Sequence, residues 1–586
     1  MAPRPFAVLV AAAAVFAAAG TRPARAAPTG PAAGRDASVA ALDRLLERAW
    51  HRRGLQPPTA VDDARFLRRI WIDLAGVVPP AAEVSAFLAD RAPGKRARAV
   101  DALLAGPRYA DHFTDGWEKV LMGRRFAGPA VDRFAFRGWL RGELARNAPW
   151  TEIARALVTA SGRNSLGGPR GPMAAAMAKS PSHEAEESEA HVNGAVNFLL
   201  RYAQAPTDLA GRVARVFLGV QIQCAQCHDH PSEHWKQEDF RSFAAVFART
   251  MAVPLDEGKA MGIRRVEVRD VPFPSFGGPR MPDLRPIALA PPRALDGADL
   301  GRGPSRRQAL ADWMVAPGNP WFGRALVNRY WALLLGRGFV EPIDDFRRSN
   351  PIVAPEVLEG LTRDFLDHGA DLRHLLRTIC LSRAYQAPAG PAAARLARRG
   401  RDLLWTRFRL RPMPPEALLD SLLSATGLDA LLSRLAGAQL ERVMFQLRNG
   451  MVFLFDVDEE SEQKDFEGTI PQALTLLNGS LVQAGSSALA GTALEKVLAA
   501  PGDQAARIGA LYLRTLSRPP EADELFRWQE FLDAPRQPVA IERGEPRDPL
   551  DRLGQRARPH DPTAREQAFE DLFWALLNSS EFLFQH

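Results

Sequence analysis

The sequence predicts a mainly α protein, two helical domains joined by a Pro/Gly-rich connector with short strands. Three observations predict this class. Apolar residues recur at helical spacing through most of residues 41–250 and again from 306 onward. Residues 251–305 abandon that period for Ile263, Val266, Val268 and Val271 among charges, followed by Pro272, Pro274, Gly277, Gly278, Pro279, Pro282 and Pro286. Three cysteines in 586 residues exclude a disulfide framework, so a packed core must carry stability, and a chain that is 46% hydrophobic can build one.

In chain order, Arg4, the apolar stretch Phe6 to Ala19 and the small-x-small triplet Ala24-Arg25-Ala26 read as a signal peptide over residues 1–26. The run is shorter than the ~20 residues a spanning helix needs. No transmembrane span is therefore expected in the mature chain. The protein is expected to be exported, periplasmic or extracellular, after cleavage near Ala26. A disordered lead is expected over residues 27–40. Leu42, Leu45, Leu46 and Trp50 then fall at helical spacing, as do Phe66, Ile70 and Leu74, with a turn at Pro79-Pro80 before Val84 and Phe87. Further helices are expected at Arg96 to Leu104, Phe134 to Ala145 and Thr151 to Ala160, and from Pro206 into the cysteine motif. Helical periodicity resumes with Arg306 to Val315. One internal echo relates Ala64 to Leu74 and its Pro79-Pro80 turn to Ala506 to Leu516 and Pro519-Pro520, which would let the two ends pack together.

The charge balance, +7 overall and +4 once the three arginines of residues 1–26 are subtracted, is spread among interleaved carboxylates. No nucleic-acid partner is expected.

The chemistry-bearing motif is Cys224-Ala225-Gln226-Cys227-His228. At C-x-x-C-H spacing two thiols add across the vinyl groups of one haem, and the histidine supplies an axial ligand to its iron. Cys224 and Cys227 are thus the attachment residues and His228 the iron ligand, with His183, His191, Met251 and Met261 as candidates for the sixth position. The competing reading is zinc on Cys224, Cys227, His230 and His234, whose ligand types suit a tetrahedral site but whose spacing is tighter than a zinc finger's. A plain Cys224–Cys227 disulfide is the third. Cys380, in an apolar helical pattern, reads as a buried thiol without chemistry.

Elsewhere, His183, Glu187 and His191 share one helix face and resemble a cation site or, more simply, a solvated acidic face. Asp456, Asp458, Glu460 and Glu467 imitate a calcium loop, but Ser461 stands where its turn needs glycine. Arg324, Asn328, Arg329, Asp344, Asp345 and Arg347 read as an ion-pair network or as a sugar or anion pocket. No nucleophile–base order or phosphate-binding loop names an enzyme class.

Several of these blocks resemble a known family. Asp63 to Arg69, Asp73-Leu74-Ala75-Gly76, Phe217-Leu218-Gly219, Cys224 to Pro231 and Trp235 to Phe240 resemble the planctomycete-type cytochrome-like domain of unknown function. Asn319 to Phe322, Arg324 to Arg329, Gly336 to Val340, Asp344-Asp345-Phe346, Arg377 to Ser382 and Gln472 to Gly479 resemble its habitual partner, the planctomycete-specific domain of unknown function. The resemblance implies an exported two-domain PSCyt/PSD protein, here divided at 41–250, 251–305 and 306–586. The expected function is that of a c-type cytochrome-like protein, in electron transfer or small-ligand sensing with an unidentified redox or surface partner. The alternative is a non-haem cell-surface binding or scaffold protein with zinc or a disulfide at the motif, acting on glycans.

Overall fold

The computed structural model describes residues 32–123, 128–166, 192–202, 205–255, 263–272, 284–389, 404–436, 440–455, 475, 477, 479–538 and 561–586. Within them the protein is mainly helical, with sheets of only three and two strands. The segment 1–26 expected to be a signal peptide, His183, Glu187, His191, Met261 and the acidic loop at 456–467 lie outside the described residues.

The lead expected to be disordered to residue 40 is helical from Ala32, where α1 (Ala32–Arg52) begins. Its alanines favour helix, and its first turns have partners: Ser38 Oγ donates to Asp364 Oδ1 at 2.6 Å, and Asp36 pairs with Arg377 at 3.4 Å. In α2 (Asp63–Ala75), Asp62 caps the amino end by accepting from the Arg65 N–H at 2.9 Å, and Gly76, at φ 67°, ends the helix. After the Pro79-Pro80 turn come α3 (Ala81–Ala89), α4 (Lys95–Ala105), α6 (Arg133–Ala145) and α7 (Trp150–Thr159), where the apolar period places them, and α5 (Pro107–Met122), which the expected helices do not include.

Strand β1 (Gly162–Arg163) pairs with β3 (Val266–Asp270), which pairs antiparallel with β2 (Thr250–Pro254) in the register Ala252↔Val268. The connector thus returns onto the first half through Val266 and Val268, both buried.

Two cores result. The first takes side chains from Leu42 through Phe408, on both sides of the connector; the second takes Met413 through Phe582 together with Ile72 and Val78. Helix α2 therefore lies between them, with Phe66, Ile70 and Leu74 in the first core and Ile72 in the second. Its polar residues bind the halves. Arg68, 1% exposed, donates to the carbonyls of Thr515 at 2.6 Å, Glu581 at 3.1 Å and Phe582 at 2.8 Å. Asp73 accepts from the Tyr385 hydroxyl at 2.7 Å and from Arg411 at 2.6 Å. The echo is visible as geometry: Asp503 caps the helix Gln504–Thr515 as Asp62 caps α2, and α3 lies against that helix. A two-stranded sheet, β4 (Arg411–Pro412) with β5 (Phe584–Gln585), closes the second core.

Candidate functional site

The helix expected to run from Pro206 into the cysteine motif stops short of it. It is α-helical over Pro206–Val213, loosens to π geometry over Ala214–Leu218 and ends at Gly219, whose φ is 65°. The wider π turn is a feature frequent at functional sites. The stop has a steric cause. A Cβ at Gly219 would lie 2.8 Å from the Phe346 ring, and the Phe346 N–H donates to the Gly219 carbonyl at 2.8 Å. Only glycine permits both the left-handed turn and that approach.

Four residues later begins the 3-10 turn Gln223–Gln226, which carries the first residues of the motif. Ile222 and Ala225 are buried and anchor the turn, whereas Cys224, Cys227 and His228 are exposed and both thiols are free. The three-residue period of this turn buries Ile222 and Ala225 and leaves Cys224, Gln226 and Cys227 exposed. The segment that follows is tied down by the His230 N–H to the Trp235 carbonyl at 2.8 Å and by Gln237, whose N–H reaches Asp229 Oδ1 at 2.8 Å and whose amide reaches the Gln226 carbonyl at 3.1 Å. Its walls are polar except for the buried Trp235.

The two neighbouring histidines differ in their free nitrogens. His228 Nδ1 lies 2.7 Å from the Asp229 carbonyl, an acceptor, so Nδ1 carries the proton and Nε2 keeps its lone pair. His230 Nδ1 instead accepts from the N–H groups of Ser232 at 3.2 Å and Glu233 at 3.1 Å, which puts the proton on Nε2. Imidazoles that bind metal usually donate the other ring N–H to a carbonyl or carboxylate. His228 is so arranged and His230 is not. Among the described residues, Cys224, Cys227, His230 and His234 do not converge as a ligand group. Of the candidates for a sixth ligand, Met251 lies half-buried in β2.

The Arg/Asp constellation of the second half meets this turn from behind. Asp344 accepts from Arg215 Nε at 2.6 Å and from Gln221 at 3.2 Å and lies 3.6 Å from Arg329, while Asp345 pairs with Arg347 at 2.9 Å and with Asn350 at 3.1 Å. Asn328, fully buried, accepts from the N–H groups of Phe339 and Val340 and donates to the carbonyls of Val340 and Ile343, which fixes the turn carrying Asp344. Arg324 turns away to Glu359. Burial pushes the Asp345 carboxyl up, and the charges of Asp344 and Glu233 add to this against the pull of Arg347 and Asn350. Glu233, five residues past His228, keeps a buried Oε1 without a hydrogen bond. Arg215, Gln221 and Glu233 had no distinguishing signal in the sequence. The partner of Arg215 and Gln221 is more than a hundred residues away. Cys380 is buried, and burial pushes its thiol well up from the ordinary value.

Fold and site together define a mainly helical protein in which a surface C-x-x-C-H turn sits where two halves of the chain interlock. Residues 41–252 match the PSCyt2 family model and residues 306–443 the PSD1 model, each described as a protein of unknown function. The chain belongs to the two-domain planctomycete-type PSCyt/PSD family, with the two domains in that order. No curated protein and no solved structure matches it.

Proposed function

We propose that this chain is an exported c-type haem protein, attached through Cys224 and Cys227 and ligated by His228, that carries electrons or senses a small ligand. The observation that carries the reading is the hydrogen bond from His228 Nδ1–H to the Asp229 carbonyl, which leaves Nε2 as a lone-pair donor beside two free, outward-facing thiols. A haem bound there would supply one-electron or ligand-binding chemistry. Buried Ile222 and Ala225 hold the turn's backbone against the first core, while Cys224, Cys227 and His228 stay exposed. Asp344, with Arg215 and Gln221, holds the segment that leads into the turn.

Export is supported by the pattern of residues 1–26, and among the described residues no helix is long and apolar enough to cross a membrane. The test is to produce the mature protein together with a haem-attachment system. A Soret band that survives acid–acetone extraction, and is lost in Cys224→Ser/Cys227→Ser, is the expected result. Protein without that band, holding zinc that is lost in Cys224→Ser/Cys227→Ser, selects the scaffold reading instead.

A further inference from the structure

Far from the cysteine turn in sequence, Asp364, His368 and His374 each offer one ligand atom, and the three atoms lie within 4.8 Å of one another; among the described residues no other group of three or more such side chains converges so. Asp364 stands on the helix Pro355–Asp367 and His368 one turn later at its end. Gly369 and Ala370, at φ 72° and 58°, reverse the chain. His374 then falls in the first turn of the helix Leu372–Leu381, where Asp371 caps it by accepting from the His374 N–H at 3.0 Å. This tight reversal lays the two imidazoles face to face, 3.8 Å between centroids and 16° between planes, over one carboxylate.

Each donor is oriented. His368 Nδ1 lies 2.7 Å from the Asp364 main-chain carbonyl, so it carries the proton and leaves Nε2 a lone pair. His374 Nε2 is 2.7 Å from Asp364 Oδ2, a hydrogen bond whose proton an incoming ion would release to solvent. Ser38 Oγ, from α1, donates to Asp364 Oδ1 at 2.6 Å and fixes the carboxylate plane in the way that outer hydrogen bonds hold metal-binding carboxylates. The side chains are graded in depth, with His374 4% exposed, Asp364 23% and His368 42%. The group is therefore buried at one end and open to water at the other.

We propose that Asp364, His368 and His374 form a binding site for a divalent transition-metal ion, with Zn²⁺ the ion best suited to two imidazoles and a carboxylate and water completing its coordination on the His368 side. Zn–N bonds of ~2.0–2.1 Å place neighbouring donors about 3.3 Å apart, so the widest pair must close by up to about 1.5 Å. Rotation of the exposed His368 ring supplies that movement. The bound ion would fasten α1, through Ser38, to the second domain. This site is independent of the haem reading.

The test uses the full mature chain, without a histidine tag, carrying Cys224→Ser and Cys227→Ser so that thiolates contribute nothing. After stripping with a chelator, titration with Co²⁺ is expected to give visible d–d bands that saturate at one equivalent, and Zn²⁺ is expected to displace it and raise the melting temperature. His368→Ala, which removes one exposed hydrogen bond and the stack on His374, should lower the metal-free melting temperature only slightly, weaken Co²⁺ at least tenfold and abolish the rise in melting temperature that Zn²⁺ gives. Absence of saturable Co²⁺ binding, or equal affinity in His368→Ala, overturns the proposal and leaves Asp364–His374 a simple ion pair.

Discussion

Replacing Gly219 by alanine tests whether the second domain is seated on the segment that presents the cysteine turn. The side chain would be held at φ 65°, a left-handed conformation that costs about 1–2 kcal/mol for an L-residue. Its Cβ would also stand 2.8 Å from the Phe346 ring, well inside the ~3.5–4.0 Å of an ordinary carbon contact. Relieving such overpacking costs about 1–3 kcal/mol, so Gly219→Ala should destabilise by about 2–5 kcal/mol in total. Gly54, at φ 64° with nothing within 4 Å of its would-be Cβ, is the internal control and should show only the conformational part. Denaturant unfolding followed by tryptophan fluorescence measures both. Phe346→Ala in the Gly219→Ala background should recover part of the loss, giving a coupling of opposite sign to a lost contact. Equal effects at positions 54 and 219, or no coupling to Phe346, would refute the seating of the two halves at Gly219.

Other outcomes follow from the same geometry. Arg68→Met retains an apolar stem but strands the carbonyls of Thr515, Glu581 and Phe582, and should cost about 3 kcal/mol or more, seen as loss of the midpoint in the same unfolding curve. Burial, reinforced by Arg68, pushes the His586 imidazole down to about 4, so an unfolded chain takes up a proton before the folded one as the pH falls below about 6.5. Stability tied to His586 should therefore be lost between about pH 6.5 and 4, by up to about 3 kcal/mol. Burial alone would raise Glu581, but Arg518 holds it low, so a second loss follows in more acid solution; faster amide exchange over residues 579–586 reports both, and His586→Gln should abolish the first. In the haem-free protein a thiol reagent should modify Cys224 and Cys227 at once and Cys380 only after unfolding; three fast thiols would contradict the buried position of Cys380.

The helices were legible because their signals are local. The period of Phe66, Ile70 and Leu74 is enough to place α2, which the structure runs from Asp63 to Ala75. The helix before the motif was overextended because its stop depends on Phe346, more than a hundred residues away, fitting over Gly219. The lead was read as disordered on composition, whereas Ser38 and Asp36 find partners in the second domain. At the site the cysteine spacing was plain, and so was the Arg/Asp cluster of the second half. That Arg215 and Gln221 would bind Asp344 was not, since a salt bridge across such a separation leaves no periodic trace. The differing tautomers of His228 and His230 are set by one backbone carbonyl and two backbone N–H groups and could only come from coordinates. Asp364, His368 and His374 escaped for a related reason, since a positive-φ reversal at two successive residues brings them together.

The most direct test of the central claim is the absorption spectrum of the mature protein after acid–acetone extraction, when made with a haem-attachment system. A retained Soret band with one iron per chain, lost in Cys224→Ser/Cys227→Ser and perturbed in His228→Ala, is the predicted result. Colourless, iron-free protein with both thiols still titratable would contradict it.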